Sequence, residues 1–144
     1  MSLFTVSLAH LTKEFKLEML YRSSDFEKIQ ITVEDVNRPA LQLAGFFEHF
    51  EPARMQVIGM VEDTYLAGLT PEQRVVTFDR LFSYRPPALI YARHIEPYDE
   101  CMVMARKYNI TILRTDETTS ELVSTMIATL KHYLAPRLTR HGVL

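Results

Sequence analysis

The residues "TPEQRVVTFDRLFSYRPPALIYA" (70–92) hold one complete passage from helix to strand. Thr70 stands where a capping residue belongs, and Pro71 takes the first helical position, where its missing N–H costs nothing. Gln73, three residues after Thr70, completes a reciprocal capping box. Val75, Phe78, Leu81 and Phe82 return at helical spacing and are expected to share a buried face. Pro86 and Pro87 stop the helix, and "ALIYA" (88–92) is apolar at every position. A strand without polar alternation is one covered on both faces, as in a parallel sheet between helical layers.

The same rhythm repeats on either side. "MQVIGM" (55–60) reads as a compact apolar strand before the helix. A helix over about 98–108 and the strand "TILR" (111–114) follow. A long helix then opens at "TTSE", with Thr118 three residues before Glu121 as a second capping box. Its apolar stripe is Val123, Met126, Ile127, Leu130, Tyr133 and Leu134, and Pro136 comes just after it. Strands and helices alternating in this way indicate parallel βαβ units with right-handed crossovers. The expected fold class is α/β: a small three-layer domain with a mainly parallel central sheet and flanking helices. Towards the amino end, a helix over 6–16 is expected, capped by Thr5 or Ser7, with Leu8, Leu11 and Phe15 on one face. "LEML" (17–20) and "IQIT" (29–32) read as short strands at an edge of the sheet. In "VNRPALQLAGFFEHF" (36–50), Pro39 opens a helical turn, Leu41, Leu43, Phe46 and Phe47 supply apolar bulk, and Gly45 ends or bends the segment.

Composition narrows the function classes. In 144 residues, 47% are hydrophobic and 24% charged, which suits one globular domain rather than a disordered or fibrous chain. A net charge of -2 gives no basic surplus for nucleic acid or for an anionic membrane. The single cysteine, Cys101, excludes an intrachain disulfide. "MSLFTVSLAHLTKEFK" (1–16) lacks the build of a signal peptide, and no apolar run reaches the ~20 residues of a membrane span. A cytoplasmic protein is expected. The only glycines are Gly45, Gly59, Gly68 and Gly142, and their spacing makes neither G-x-x-x-x-G-K-[ST] nor G-x-G-x-x-G. Both of those phosphate loops need closely spaced residues without a Cβ, so neither is present.

Side chains capable of chemistry are few. "HIEPYDEC" (94–101) shares the H-x-E half of a zinc deaminase motif, but that motif needs more sulfur ligands than one cysteine supplies. No metal site is expected there. Glu96, Asp99 and Glu100 suit a helix amino end, and Cys101 suits its inner face as a small apolar filler. Glu48 and Glu51 in "EHFEPAR" (48–54) make an acid–base pair only if a cleft holds them; otherwise they belong to a solvated loop. His10, His132 and His141 stand alone, and Phe46, Phe47 and Phe50 read as core. In an open parallel sheet, ligands bind beyond the carboxyl ends of the strands. Those ends carry "VEDTY" (61–65), "RHIEP" (93–97) and "RTDETTS" (114–120). Arg93, Arg114, Thr115, Thr118 and Thr119 are the candidate contacts for an anionic ligand there. The competing reading is that Thr118 only caps its helix and the arginines pair with nearby acids.

Four segments carry a family resemblance: "NRPALQLAGFF" (37–47), "RMQVIGM" (54–60), "YNITILRTDETTSELVSTMIATL" (108–130) and "LAPRLTRHGVL" (134–144). In order and spacing they resemble the amino-terminal domain of bacterial HPr kinase/phosphorylase, over essentially the whole chain. Ala40 stands where that family often has glycine, and Phe46 where it often has tyrosine. The resemblance implies a domain over 1–136, similar in fold to the UDP-substrate-binding domain of muramyl ligases. Residues 137–144 then begin the connection to a carboxyl-terminal kinase domain absent from this chain. It implies a non-catalytic part, for assembly or regulation, of a parent enzyme. That parent phosphorylates and dephosphorylates a regulatory serine of the phosphocarrier HPr in carbon catabolite repression. The parent's cofactors are ATP or pyrophosphate with magnesium, and its partners are HPr and like subunits of a hexamer; no cofactor and no catalytic residue is expected in the present chain. The alternative is a stand-alone ligand-sensing domain of the related muramyl-ligase-like fold.

Overall fold

The structure is a computed structural model and describes residues 4–136. The connection expected at 137–144, with His141, lies outside the described residues. The chain runs β1 (Val6–Ser7), α1 (Leu8–Glu14), β2 (Glu18–Tyr21), a 3-10 turn (Phe26–Lys28), β3 (Gln30–Ile31) and β4 (Val36–Asn37). It continues with α2 (Ala40–Leu43), β5 (Met55–Ile58), α3 (Met60–Ala67), α4 (Pro71–Ser83), β6 (Ala88–Tyr91), α5 (Asp99–Tyr108), β7 (Thr111–Arg114) and α6 (Thr119–Leu134).

Five strands form the central sheet in the order β2-β7-β6-β5-β4. The pairs β4–β5, β5–β6 and β6–β7 are parallel, and β2 joins the β7 edge antiparallel. Every residue of β5, β6 and β7 is buried, the polar Gln56, Thr111 and Arg114 included, as in a sheet covered on both faces. Their side chains alternate between two cores. Val57, Ile90 and Leu113 face one side, with Leu8 and Leu11 of α1 and Met126 and Leu130 of α6. Ile58, Leu89, Tyr91 and Ile112 face the other, with Leu66 of α3, Phe78, Leu81 and Phe82 of α4, and Cys101 and Ala105 of α5. The three-layer α/β expectation holds.

Where local chemistry was explicit, the elements begin as expected. Thr70 Oγ1 accepts from the Gln73 N–H at 3.1 Å, and Gln73 Oε1 accepts from the Thr70 N–H at 2.9 Å. Of the residues expected on the buried face of α4, Phe78, Leu81 and Phe82 are fully enclosed but Val75 is 37% exposed. The inward stripe passes instead through Arg74, whose guanidinium meets Glu100 at 2.6 Å, donates to the Leu66 and Leu69 carbonyls and lies 4.2 Å from the Tyr98 ring. A polar group that satisfies its donors can hold an interior position. At the amino end, Ser7 rather than Thr5 is the cap; its Oγ accepts from the His10 N–H. Val6 and Ser7 are not helical, because they pair with Ile31 and Gln30 as a separate two-stranded sheet.

Further departures concern residues 36–67. β4 is an unforeseen strand of two residues. Asn37 on it donates to Gln42 and Gln56, which keeps both buried amides satisfied. Leu41 and Phe46 stay on the surface, Phe46 at 48% exposure. Phe47 and Phe50 instead pack on Tyr84, with ring centroids at 4.6 and 5.4 Å. "VEDTY", expected beyond a strand end, lies within α3, because the chain turns helical straight after Gly59.

Candidate functional site

The carboxyl ends of β5, β6 and β7 are laced together by main-chain bonds. The Ala92 N–H donates to the Ile58 carbonyl, the Thr115 N–H to Tyr91, the Arg93 N–H to Glu117 and the His94 N–H to Thr115. Arg93 and His94 both adopt positive φ, at 57° and 54°, to make the turn. This lacing holds the start of α6 against the start of α3. They come close at Gly59, the residue before α3: a Cβ there would lie 2.4 Å from Thr119 Oγ1 and 2.9 Å from Arg38 Nη2. Only a residue without a side chain fits.

The two helix starts border a cleft of about 230 Å3, lined by Arg38, Met60, Val61, Arg93, Thr118, Thr119 and Ser120. Arg38 is fixed by two hydrogen bonds to Glu62, at 2.7 and 3.1 Å, and Glu62 also accepts from the Gly59 N–H at 2.9 Å. Thr118 caps α6, its Oγ1 accepting from the Glu121 N–H at 3.2 Å. Thr119 is only 8% exposed. Its hydroxyl meets no hydrogen-bond partner among the described residues, and the exposed Arg93 side chain meets no carboxylate.

Three of the five residues named from sequence, Arg93, Thr118 and Thr119, therefore line one cleft. Arg114 lies elsewhere. Its guanidinium is buried between Glu18, bound at 2.9 and 3.1 Å, and Glu96, bound at 3.0 Å. The Arg114 hydrogen bond holds the Glu18 carboxyl below its usual range, and Glu18 in turn raises Arg114. Thr115 Oγ1 accepts from the Glu117 N–H at 3.2 Å in a local turn. Sequence reasoning missed Arg38, Met60, Val61 and Ser120. An isolated glycine inside an apolar strand pattern signals a close backbone approach, and Gly59 carried that signal.

The other reactive side chains are accounted for locally. Cys101 is buried and accepts from the Tyr91 hydroxyl at 3.1 Å; burial pushes its thiol up to about 12. His94 pairs with Asp116 at 2.6 Å, and Glu51 pairs with Arg54 on the surface. His10 contacts Glu14 and the Tyr133 hydroxyl. Among the described residues, no three His, Cys, Asp or Glu side chains cluster to hold a metal, and no helix is long and apolar enough to cross a membrane.

Comparison with known proteins adds the family. The model described as HPr Serine kinase N terminus matches residues 6–130. The chain belongs to that family. HPr kinase/phosphorylase from Caldicellulosiruptor bescii is 41% identical over 142 residues, 99% of this chain but 46% of the relative. That from Lachnoclostridium phytofermentans is 39% identical with the same coverage of 99% and 46%. The chain thus spans about half the length of the curated relatives it matches and corresponds to their amino-terminal part. Among solved structures, the CBS and DRTGG domains of the regulatory region of Clostridium perfringens pyrophosphatase superpose with a TM-score of 0.62 at 16% identity. That match covers 96% of this chain and 53% of the other, and it supports the family's α/β fold.

Proposed function

We propose that the chain is the non-catalytic, assembly or regulatory amino-terminal part of an HPr kinase/phosphorylase. One observation carries this reading: relatives of that name match at 39–41% identity across nearly the whole chain, yet the chain accounts for only 45–46% of their length. In this reading the parent transfers phosphate to a regulatory serine of HPr, removes it by phosphorolysis, and links carbon supply to catabolite repression in the cytoplasm. ATP or pyrophosphate with magnesium serves the kinase domain. The partners of the present chain are that kinase domain and like subunits of a hexamer, on a scaffold similar to the UDP-substrate-binding domain of muramyl ligases.

The described residues favour a structural rather than a catalytic role. Glycines at 45, 59 and 68 are too far apart to wrap a nucleotide's phosphates, and the single thiol is buried and protonated. Incubated with HPr, ATP and magnesium, the purified chain is expected to transfer no label. Removing the matching region from the Caldicellulosiruptor relative is expected to leave phosphoryl transfer in place while altering assembly or regulation. Label on HPr from the isolated chain, or a folded kinase part that has lost transfer, overturns the proposal.

A further inference from the structure

We propose that the cleft between the starts of α3 and α6 is a binding site for a phosphate group, free or as a small phosphomonoester. The first N–H groups of a helix have no partner inside it. The first bonds of this kind in α3 and α6 are made by Asp63, to the Gly59 carbonyl, and Leu122, to the Thr118 carbonyl. The amides of Met60, Val61, Thr119 and Ser120 precede those bonds, and all four residues line the cleft. Both helix dipoles place their positive ends there.

A side chain adds to these main-chain donors. Thr119 is more than nine-tenths buried, lines the cleft and has a hydroxyl without a partner among the described residues. Among the described residues no buried side-chain oxygen lacks a partner, so this hydroxyl keeps contact with solvent in the cleft and can bond a group that enters it. Arg93 adds a guanidinium that meets no carboxylate among the described residues, while Arg38, neutralised by Glu62, supplies direction more than charge. Donors on several sides of a small space suit a tetrahedral oxyanion better than a planar carboxylate. Met60 and Val61, both more than half exposed at the rim, offer apolar contact to an organic group esterified to the phosphate. This mode needs no glycine-rich loop, and it does not depend on the catalytic status of the parent.

The test is titration of the 144-residue chain, followed by amide NMR, with inorganic phosphate and in parallel with glycerol phosphate. Shifts are expected at Met60, Val61, Thr119 and Ser120. Arg93→Gln is expected to weaken binding by about 10-fold or more, the loss of a charge-assisted contact, and Thr119→Val by about 5-fold. Arg54→Gln, a cation at a different surface, is expected to change neither the shifts nor the affinity. Tighter glycerol phosphate identifies an esterified ligand, and equal affinity identifies free phosphate; either supports the site. Thr119→Val is nearly isosteric, so a retained native spectrum separates lost binding from lost folding. No shift at the four amides with tens of millimolar phosphate, or unchanged affinity in folded Arg93→Gln, overturns the proposal.

Discussion

Arg114 is gripped from two sides, by Glu18 on the edge strand β2 and by Glu96 in the loop after β6. Its type and its place at a strand end were legible, and both suited a ligand contact. What occupies it, Glu18, comes from an edge strand 96 residues earlier, a pairing that no local pattern announces. The same holds for Thr119, read as a possible contact from its helix start, whose burial follows from the close approach of Gly59. The Glu18–Arg114 pair gives a pH signature. Glu18 titrates below its ordinary value of 4.5 when folded, so it contributes stability above that value. That contribution is lost as pH falls through the lowered folded value. Glu18→Gln is therefore expected to lower the urea midpoint at pH 7, with the difference from wild type shrinking at pH 3. An equal difference at both pH values counts against the assignment.

Elements were legible where their ends carry chemistry. α4 has a cap, a proline and a returning glutamine within four residues, and it starts where these place it. Thr70→Ala is expected to cost about 1 kcal/mol in chemical denaturation, the usual loss for an N-cap oxygen. α3 has only the last of these, a returning acidic residue, with no side-chain cap and no proline. Glycine precedes it, its cap bond comes from the Glu62 side chain, and Met60 and Val61 at its start face outward. An apolar run that crosses from strand into helix offers periodicity nothing to divide it by. β4, at two residues, is shorter than any pattern, and the separate β1–β3 pair shortened the first helix for a tertiary reason.

For the molecule as a whole, the succession of apolar strands and amphipathic helices was enough to set the class, because burial on both faces constrains every core strand. The position of β2, and its antiparallel direction, were left open by the same rule. One sheet divides two cores, so damage to either should be felt throughout. Leu113→Ala on one face and Phe78→Ala on the other, both fully buried, are each expected to cost about 2–5 kcal/mol. Both should move a single unfolding transition, seen alike by aromatic and backbone circular dichroism. Separate transitions would show two independent units.

The edge strand β2 has a consequence for biosynthesis. Among the described residues, 18–21 find their only sheet neighbour at residues 111–114. A chain emerging from the ribosome must hold its early segments unplaced until Arg114 has cleared the exit tunnel. Such distant pairings close slowly, and the waiting amino-terminal stretch is where chaperones would be expected to engage.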